Sequence, residues 1–115
     1  MKRKICPECV DNLLLLFSTH IRELQLIILK ELDNEIKDWE REFFKMKIDI
    51  AKYVLDFLEK QGCIDEWERA HIEAHIDNVA NENLSPYERL REILRARDFV
   101  ETILEHYLNE MLIGL

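Results

Sequence analysis

The sequence predicts an all-α fold: an antiparallel bundle of three to four helices that associates with itself. Three observations lead to this prediction. The 115 residues include two glycines and two prolines, where average usage gives about 14 together, so tight turns are few. Apolar residues make up 48% of the chain and recur largely at three- and four-residue spacing. Helix start and stop signals lie at the ends of the periodic segments.

The second half of the chain has clear helix boundaries. Residues 85–88, Ser-Pro-Tyr-Glu, combine an N-cap, a proline suited to the first helical position and a capping-box acid. A helix is therefore predicted to begin at Pro86. Upstream, Gly62 is predicted to end one helix and Asp65 to cap the next, which runs to about Asn83.

Residues 11–61 contain no glycine or proline, and two interpretations stay open. A weak break at Asp33-Asn34, where either residue could cap a new helix, predicts a hairpin of two helices. Against a break, an apolar seam from Phe17 through Ile28 and Ile36 to Ile50 keeps helical phase, which predicts one long helix. We favour the hairpin, because helices much longer than 25 residues are rare in compact domains.

One domain and one arm are predicted. Residues 1–10 form an N-terminal arm with a C-x-x-C motif, and residues 11–115 form a single helical-bundle domain, since no repeat or linker interrupts them. Residues 2–4 are basic but are followed by Cys-Pro-Glu-Cys, where a signal peptide has an apolar segment. Arg22 and Glu23 interrupt the first apolar run before it reaches the length of a membrane span. We therefore expect a cytoplasmic protein without membrane contact.

The three cysteines predict a metal site more than a disulfide framework. Cys6 and Cys9 have the C-x-x-C spacing that places two thiolates around one tetrahedral ion, and this spacing resembles one knuckle of a zinc ribbon. The second C-x-x-C of such a ribbon is missing. In the hairpin, Cys63 lies near both, and His71, Asp65 or Glu66 supplies the fourth ligand. The predicted site is structural zinc at Cys6, Cys9, Cys63 and His71. The alternatives are a redox or iron–sulfur role for the cysteines, and small buried or terminal thiols without a metal.

Glu68, His71 and His75 form a second constellation. Their spacing places them on one helical stripe, and Glu68 to His71 match the Glu-x-x-His element of di-iron bundles. No second such element is present in the sequence. The alternative interpretation is a set of boundary residues packed beside Trp67. Separately, Arg97 falls within the apolar seam of the last helix, where a guanidinium needs an ion pair or a route to solvent.

The apolar surfaces are wider than one partner helix can cover. Residues 36–57 carry one stripe, and Phe44, Ile48, Leu55 and Leu58 carry an adjacent one. We therefore expect a homodimer, or an obligate partner protein, with Phe44 and Ile48 at the interface. The first stripe contains these residues: Ile36, Trp39, Phe43, Met46, Ile50, Val54 and Phe57.

Three functions follow from these patterns. The leading hypothesis is a non-enzymatic protein–protein interaction module that associates with itself and carries zinc at its N-terminal cysteines. The second is a metal-dependent enzyme or sensor that uses Glu68, His71 and His75. The third is an adaptor in a nucleic-acid-processing complex, based on basic residues 2–4, the zinc-ribbon-like spacing and the arginines of the last helix. The net charge of −8 repels phosphate backbones, so direct nucleic-acid binding is not expected.

Overall fold

A computed structural model describes residues 7–113 of the chain. Within that range there is no strand, and four helices pack into one elongated body of 49 × 22 × 21 Å. These are α1, Pro7–Leu32; α2, Asp38–Lys60; α3, Glu66–Ala80; and α4, Pro86–Ile113. Helix α4 contacts α1 and α3, and α2 packs against the same two helices. The predicted all-α bundle of three to four helices is confirmed.

The chain turns back at residues 33–37, so the hairpin interpretation is correct. Asn34 has a φ of 57°, in the left-handed region that asparagine tolerates better than most residues, and α1 ends there. The prediction that Asp33 or Asn34 caps the next helix is wrong, because the N-cap is Lys37. Instead the Lys37 backbone N–H donates to the Glu40 side chain at 3.2 Å, which closes the first turn of α2.

Helices α1 and α2 run antiparallel. Their contacts pair falling residue numbers in α1 with rising numbers in α2, as expected of a hairpin. The pairs are Lys30 with Glu40 and Glu23 with Lys47, and Cys9 near the start of α1 then pairs with Cys63 in the loop after α2.

Helix α1 contains a six-residue π-helical segment, Leu16–Ile21. Buried residues at its two ends explain this segment. Leu16 and Ile21 are its first and last residues, Leu13 and Leu24 lie one turn beyond them, and all four have no exposure. In an α-helix, two residues five positions apart lie on different faces. The wider π-helical turn keeps both Leu16 and Ile21 in the core. Phe17, predicted on the seam, is half-buried instead.

Local signals set the other two junctions as predicted. Gly62 has a φ of 76°, which only glycine adopts without steric cost, and α2 ends just before it. Asp65 accepts from the Glu68 backbone N–H at 2.7 Å and caps α3. Ser85 accepts from the Glu88 N–H at 3.2 Å, and α4 begins at Pro86. Helix α3 stops at residue 80, before the predicted end near residue 83.

Arg89, not Arg97, is the buried arginine of α4. Its Nε donates to the Val79 carbonyl at 2.7 Å, at the C-terminal end of α3, and its Nη1 lies 2.9 Å from Glu31 on α1. The guanidinium carbon also lies 5.1 Å from the ring centre of Phe44 on α2. One side chain therefore contacts all three other helices, and it satisfies a carbonyl that the end of α3 leaves without a helical partner.

Arg97 is half-buried and has no acidic partner within the described residues, which corrects the predicted ion pair. Its Nη1 donates to the Gln25 side-chain oxygen at 3.2 Å, and its guanidinium lies over the Phe17 ring at 5.0 Å. The alternative prediction, a stem that lies along the core toward solvent, fits this arrangement better.

Helix α1 is long and apolar enough to cross a membrane by length and composition alone, with a mean hydropathy of 1.3 over its most apolar window. A third of that window is buried inside the bundle. Core helices of folded domains satisfy the same criterion, so this property does not assign a location.

Candidate functional site

Cys9 and Cys63 are joined by a disulfide between α1 and the α2–α3 loop, with their Cα atoms 5.3 Å apart. Both residues are buried, and the Tyr107 hydroxyl of α4 donates to the Cys63 carbonyl. The hairpin thus brings these two cysteines together, as predicted. They are bonded to each other and not held as thiolates, so zinc coordination by them applies only to the reduced chain.

Of the other two predicted zinc ligands, only His71 lies within the described residues, and it packs among aromatic rings. Cys6 lies outside the described residues. His71 lies on α3, where its ring stacks on Trp67 at a centroid distance of 5.4 Å and contacts Phe99 at 4.2 Å. Across residues 7–113, no group of three or more histidine, cysteine or acidic side chains is arranged to hold a metal ion.

Histidine and aromatic rings form a cluster on the α3–α4 surface. His71 meets His75 edge-on, with ring centroids 5.0 Å apart, and Trp67 and Phe99 complete the group. His75 Nδ1 donates to the Glu92 carboxylate at 2.6 Å, which leaves its Nε2 as the other polar atom of the ring. The predicted packing of the histidines beside Trp67 is what the structure contains.

Glu68 does not join the histidines. It is buried and accepts from the Asp65 backbone N–H at 2.9 Å, completing the capping box of α3. The predicted stripe of Glu68, His71 and His75 therefore divides into a helix cap and an aromatic cluster. The carboxylate beside the histidines is that of Glu92, which lies 2.6 Å from His75.

Helix α2 carries two apolar surfaces on different sides. The inner seam faces the bundle and is buried; its members are Phe44, Ile48, Ala51, Leu55 and Leu58. The outer seam faces solvent; its members are Trp39, Phe43, Met46, Ile50, Tyr53 and Phe57. The prediction that Phe44 and Ile48 lie at an interface is wrong, because they are 7% and 5% exposed within the core.

The outer seam is the most exposed apolar surface of α2. Tyr53 and Trp39 are 73% and 63% exposed, and Met46 and Phe57 are 50% and 43% exposed. Tyr53 replaces the predicted Val54, which is half-buried and packs against the core, as do Ile36 and Phe43 of the predicted stripe. Phe43 therefore lies at the margin of the outer seam. Sequence periodicity found both seams but could not show which one the other helices cover.

Charge is unevenly distributed beside the outer seam. Glu42, Asp49 and Asp56 recur every seven residues along one edge, so this edge is acidic. On the opposite edge, Lys47 pairs with Glu23 and lies over the Phe43 ring at 5.2 Å.

The arginines of α4 do not form a basic surface. Arg89 is buried against Glu31, and Arg95 lies 3.9 Å from Glu92. Basic residues 2–4, which the adaptor hypothesis also uses, lie outside the described range. The described part of the chain therefore adds no support to that hypothesis.

Comparison of the chain with protein-family models, with curated proteins and with solved structures found no match. The case for a function therefore depends on the residues and their geometry.

Proposed function

We propose that this protein is a non-enzymatic helical interaction module that associates with a second copy of itself through the outer seam of α2. The observation that supports the proposal most directly is that four large apolar side chains of the outer seam are 43–73% exposed on a helix whose opposite face already forms the core; they are Trp39, Met46, Tyr53 and Phe57. An apolar patch of this kind is often functional, and oligomer interfaces use such patches.

The aromatic side chains of the outer seam supply part of the area that an interface needs. With about 200 Å² for each large aromatic side chain, the exposed fractions of Trp39, Tyr53 and Phe57 leave about 350 Å² open to solvent. A standard interface buries about 800 Å² per partner. Met46, the half-buried Phe43 and Ile50 and the charged edges of the helix supply further area.

The test compares two tyrosines of equal exposure. Tyr53 on the outer seam is 73% exposed, and Tyr87 at the start of α4 is 72% exposed. We expect a dimer in light scattering and sedimentation, and we expect Tyr53→Asp to weaken it by about 100-fold or more, because each dimer carries the substitution twice at a central aromatic position. Tyr87→Asp is the matched control and leaves the dimer unchanged. A monomer at high protein concentration, or equal weakening by both variants, contradicts the proposal.

Zinc at Cys6, Cys9, Cys63 and His71 is proposed only for the reduced chain. Elemental analysis of reduced and oxidised protein tests it. Metal that is present after reduction and lost in Cys6→Ser supports the cysteine site. Metal that survives Cys6→Ser but is lost in His71→Ala supports the histidine hypothesis instead, and reduced protein without zinc contradicts both.

A further inference from the structure

A cavity of about 460 Å³ lies between α1 and α4, beside the π-helical segment. Its volume is in the range of pockets that hold small organic ligands. Two arginines, an amide, a hydroxyl and two apolar side chains line it; they are Phe17, Ser18, Arg22, Gln25, Leu26 and Arg97. Within residues 7–113 the lining contains no carboxylate, although the chain has 24 acidic and 16 basic residues.

Both arginines of this cavity lack an acidic partner in the part of the chain that the structure describes. Arg22 is exposed, and the positions three and four residues away on α1 are serine, threonine, glutamine and leucine, so its own helix supplies no ion pair. Glu101 lies four residues after Arg97 on α4 and forms no ion pair with it. The two positive charges are therefore open to an anion from solution.

Contacts inside the cavity hold Arg97 in place. Its guanidinium lies over the Phe17 ring at 5.0 Å, and its Nη1 donates to the side-chain oxygen of Gln25 at 3.2 Å. These contacts leave further N–H groups of the guanidinium, and the side-chain amide nitrogen of Gln25, as donors for a ligand. The Ser18 hydroxyl instead donates to the Leu14 carbonyl at 2.6 Å. Guanidinium and amide donors thus lie next to an apolar ring.

The π-helical segment accounts for the position of Phe17 in this cavity. In an uninterrupted α-helix, Phe17, Ile21 and Leu24 share one face. Because the wider turn gives core positions to both Leu16 and Ile21, Phe17 is only half-buried and its ring contacts the Arg97 guanidinium. Wider turns of this kind occur frequently at functional sites.

We propose that this cavity binds a small organic anion, a carboxylate or a phosphate monoester that carries an apolar group. Guanidinium groups bind both head groups through paired, charge-assisted hydrogen bonds. The half-buried Phe17 and the exposed Leu26 offer apolar surface to the rest of the ligand. The net charge of −8 repels anions from most of the surface, which favours this cavity over other positions.

Titration followed by NMR chemical shifts tests the proposal with four probes: hexanoate, hexyl phosphate, inorganic phosphate and 1-hexanol. We expect at least one of the two hexyl anions to bind, and the tighter of them identifies the head group. Inorganic phosphate lacks the apolar group and 1-hexanol lacks the charge, so each is expected to bind at least about tenfold more weakly. Equal affinity for 1-hexanol, or no binding of either hexyl anion at millimolar concentration, overturns the proposal.

Arginine substitutions locate the bound anion. Arg22→Gln and Arg97→Gln are each expected to weaken binding by about tenfold or more, because each removes a charged donor. Arg91→Gln is the matched control, since Arg91 is exposed on α4, has no acidic partner among the described residues and does not line the cavity. Equal weakening by Arg91→Gln and Arg22→Gln indicates non-specific attraction and overturns the site.

The fold and the proposed self-association are separated from this result by two further measurements. Arg22 is exposed and unpaired, so Arg22→Gln is expected to keep the circular dichroism spectrum and Tm of the native chain. A loss of binding with both unchanged supports the site, and a loss of binding only in proportion to unfolding overturns it. Tyr53→Asp, on the outer seam, is expected to leave anion affinity unchanged.

Discussion

Arg89 is the residue whose replacement tests the packing of the bundle most severely. In Arg89→Ala, the Val79 carbonyl at the end of α3 loses its 2.7 Å donor, and the Glu31 carboxylate loses the guanidinium 2.9 Å away. Val79 has no exposure, and the side chain of Glu31 is 21% exposed, so only the carboxylate has access to water. Truncation therefore leaves two polar groups without their partners.

The magnitude follows from those two groups. A buried acceptor left unsatisfied costs about 1–3 kcal/mol, and a buried pair broken from one side costs about 3–5 kcal/mol, with partial exposure of Glu31 favouring the lower end. We expect the free energy of unfolding to fall by about 4 kcal/mol, the sum of the two lower ends. At about 4 °C per kcal/mol for a domain of this size, Tm falls by about 16 °C.

Urea unfolding followed by circular dichroism measures this loss, and Arg97→Ala is the matched control. Arg97 is half-buried and makes one side-chain hydrogen bond, at 3.2 Å to Gln25, so its removal is expected to cost about 1 kcal/mol or less. The double variant Arg89→Met with Glu31→Gln leaves no stranded charge and is expected to recover part of the loss. Equal losses for Arg89→Ala and Arg97→Ala would refute the reasoning.

Three further predictions concern stability. Cys9→Ser removes a bridge across a sequence separation of 54 and is expected to lower the free energy of unfolding by about 4 kcal/mol from loop entropy. Cys6→Ser is the control in the same urea titration, and a small loss for Cys9→Ser contradicts the estimate. Burial has the largest effect on the pKa of His20 and the charge of Lys47 the second largest, and both lower it in the folded chain. The unfolded chain therefore binds the proton of this imidazole more tightly. The resulting stability is present above about pH 6.5 and is lost as the pH falls below it. We therefore expect the fall in Tm from pH 7.5 to pH 5.5 to be larger for the native chain than for His20→Gln. Gly62→Ala, at a φ of 76°, is expected to cost about 1 kcal/mol or more, and an unchanged Tm argues against a strained position.

Helix boundaries set by local chemistry could be predicted from the sequence. Pro86 and the capping serine before it, Gly62, and Asp65 each act within a few residues, so the pattern alone contains the information. The π-helical segment could not be predicted in this way. Its cause is the need to bury both Leu16 and Ile21 against other helices.

The choice between equivalent surfaces also required the structure. The two seams of α2 have similar apolar content, and the choice of Phe44 over Tyr53 for the core depends on where α1 and α3 lie. Arg89 and Arg97 present the same difficulty on α4, because both lie near its apolar seam. Tertiary neighbours decide which guanidinium is buried.

The cysteine prediction was right about proximity and differs from the structure in chemistry. The hairpin was predicted to bring Cys63 near Cys9, and the two Cα atoms lie 5.3 Å apart. Spacing within the sequence cannot distinguish two thiolates that share an ion from two sulfurs that share a bond. That distinction depends on redox conditions and on a fourth ligand, and His71 is instead packed among aromatic rings.

The placement of the two tryptophans has a consequence for spectroscopy. Trp39 and Trp67 are the only tryptophans of the chain, and both lie on the surface, at 63% and 67% exposure. The intrinsic fluorescence of the folded chain should therefore be red-shifted, and its emission maximum should change little on unfolding. Trp39 lies on the outer seam, so the self-association proposed above would make its emission depend on protein concentration. Trp67 stacks on His71, with ring centroids 5.4 Å apart, so its emission reports the packing of the α3–α4 surface. The native emission spectrum thus reports surface contacts and not the core.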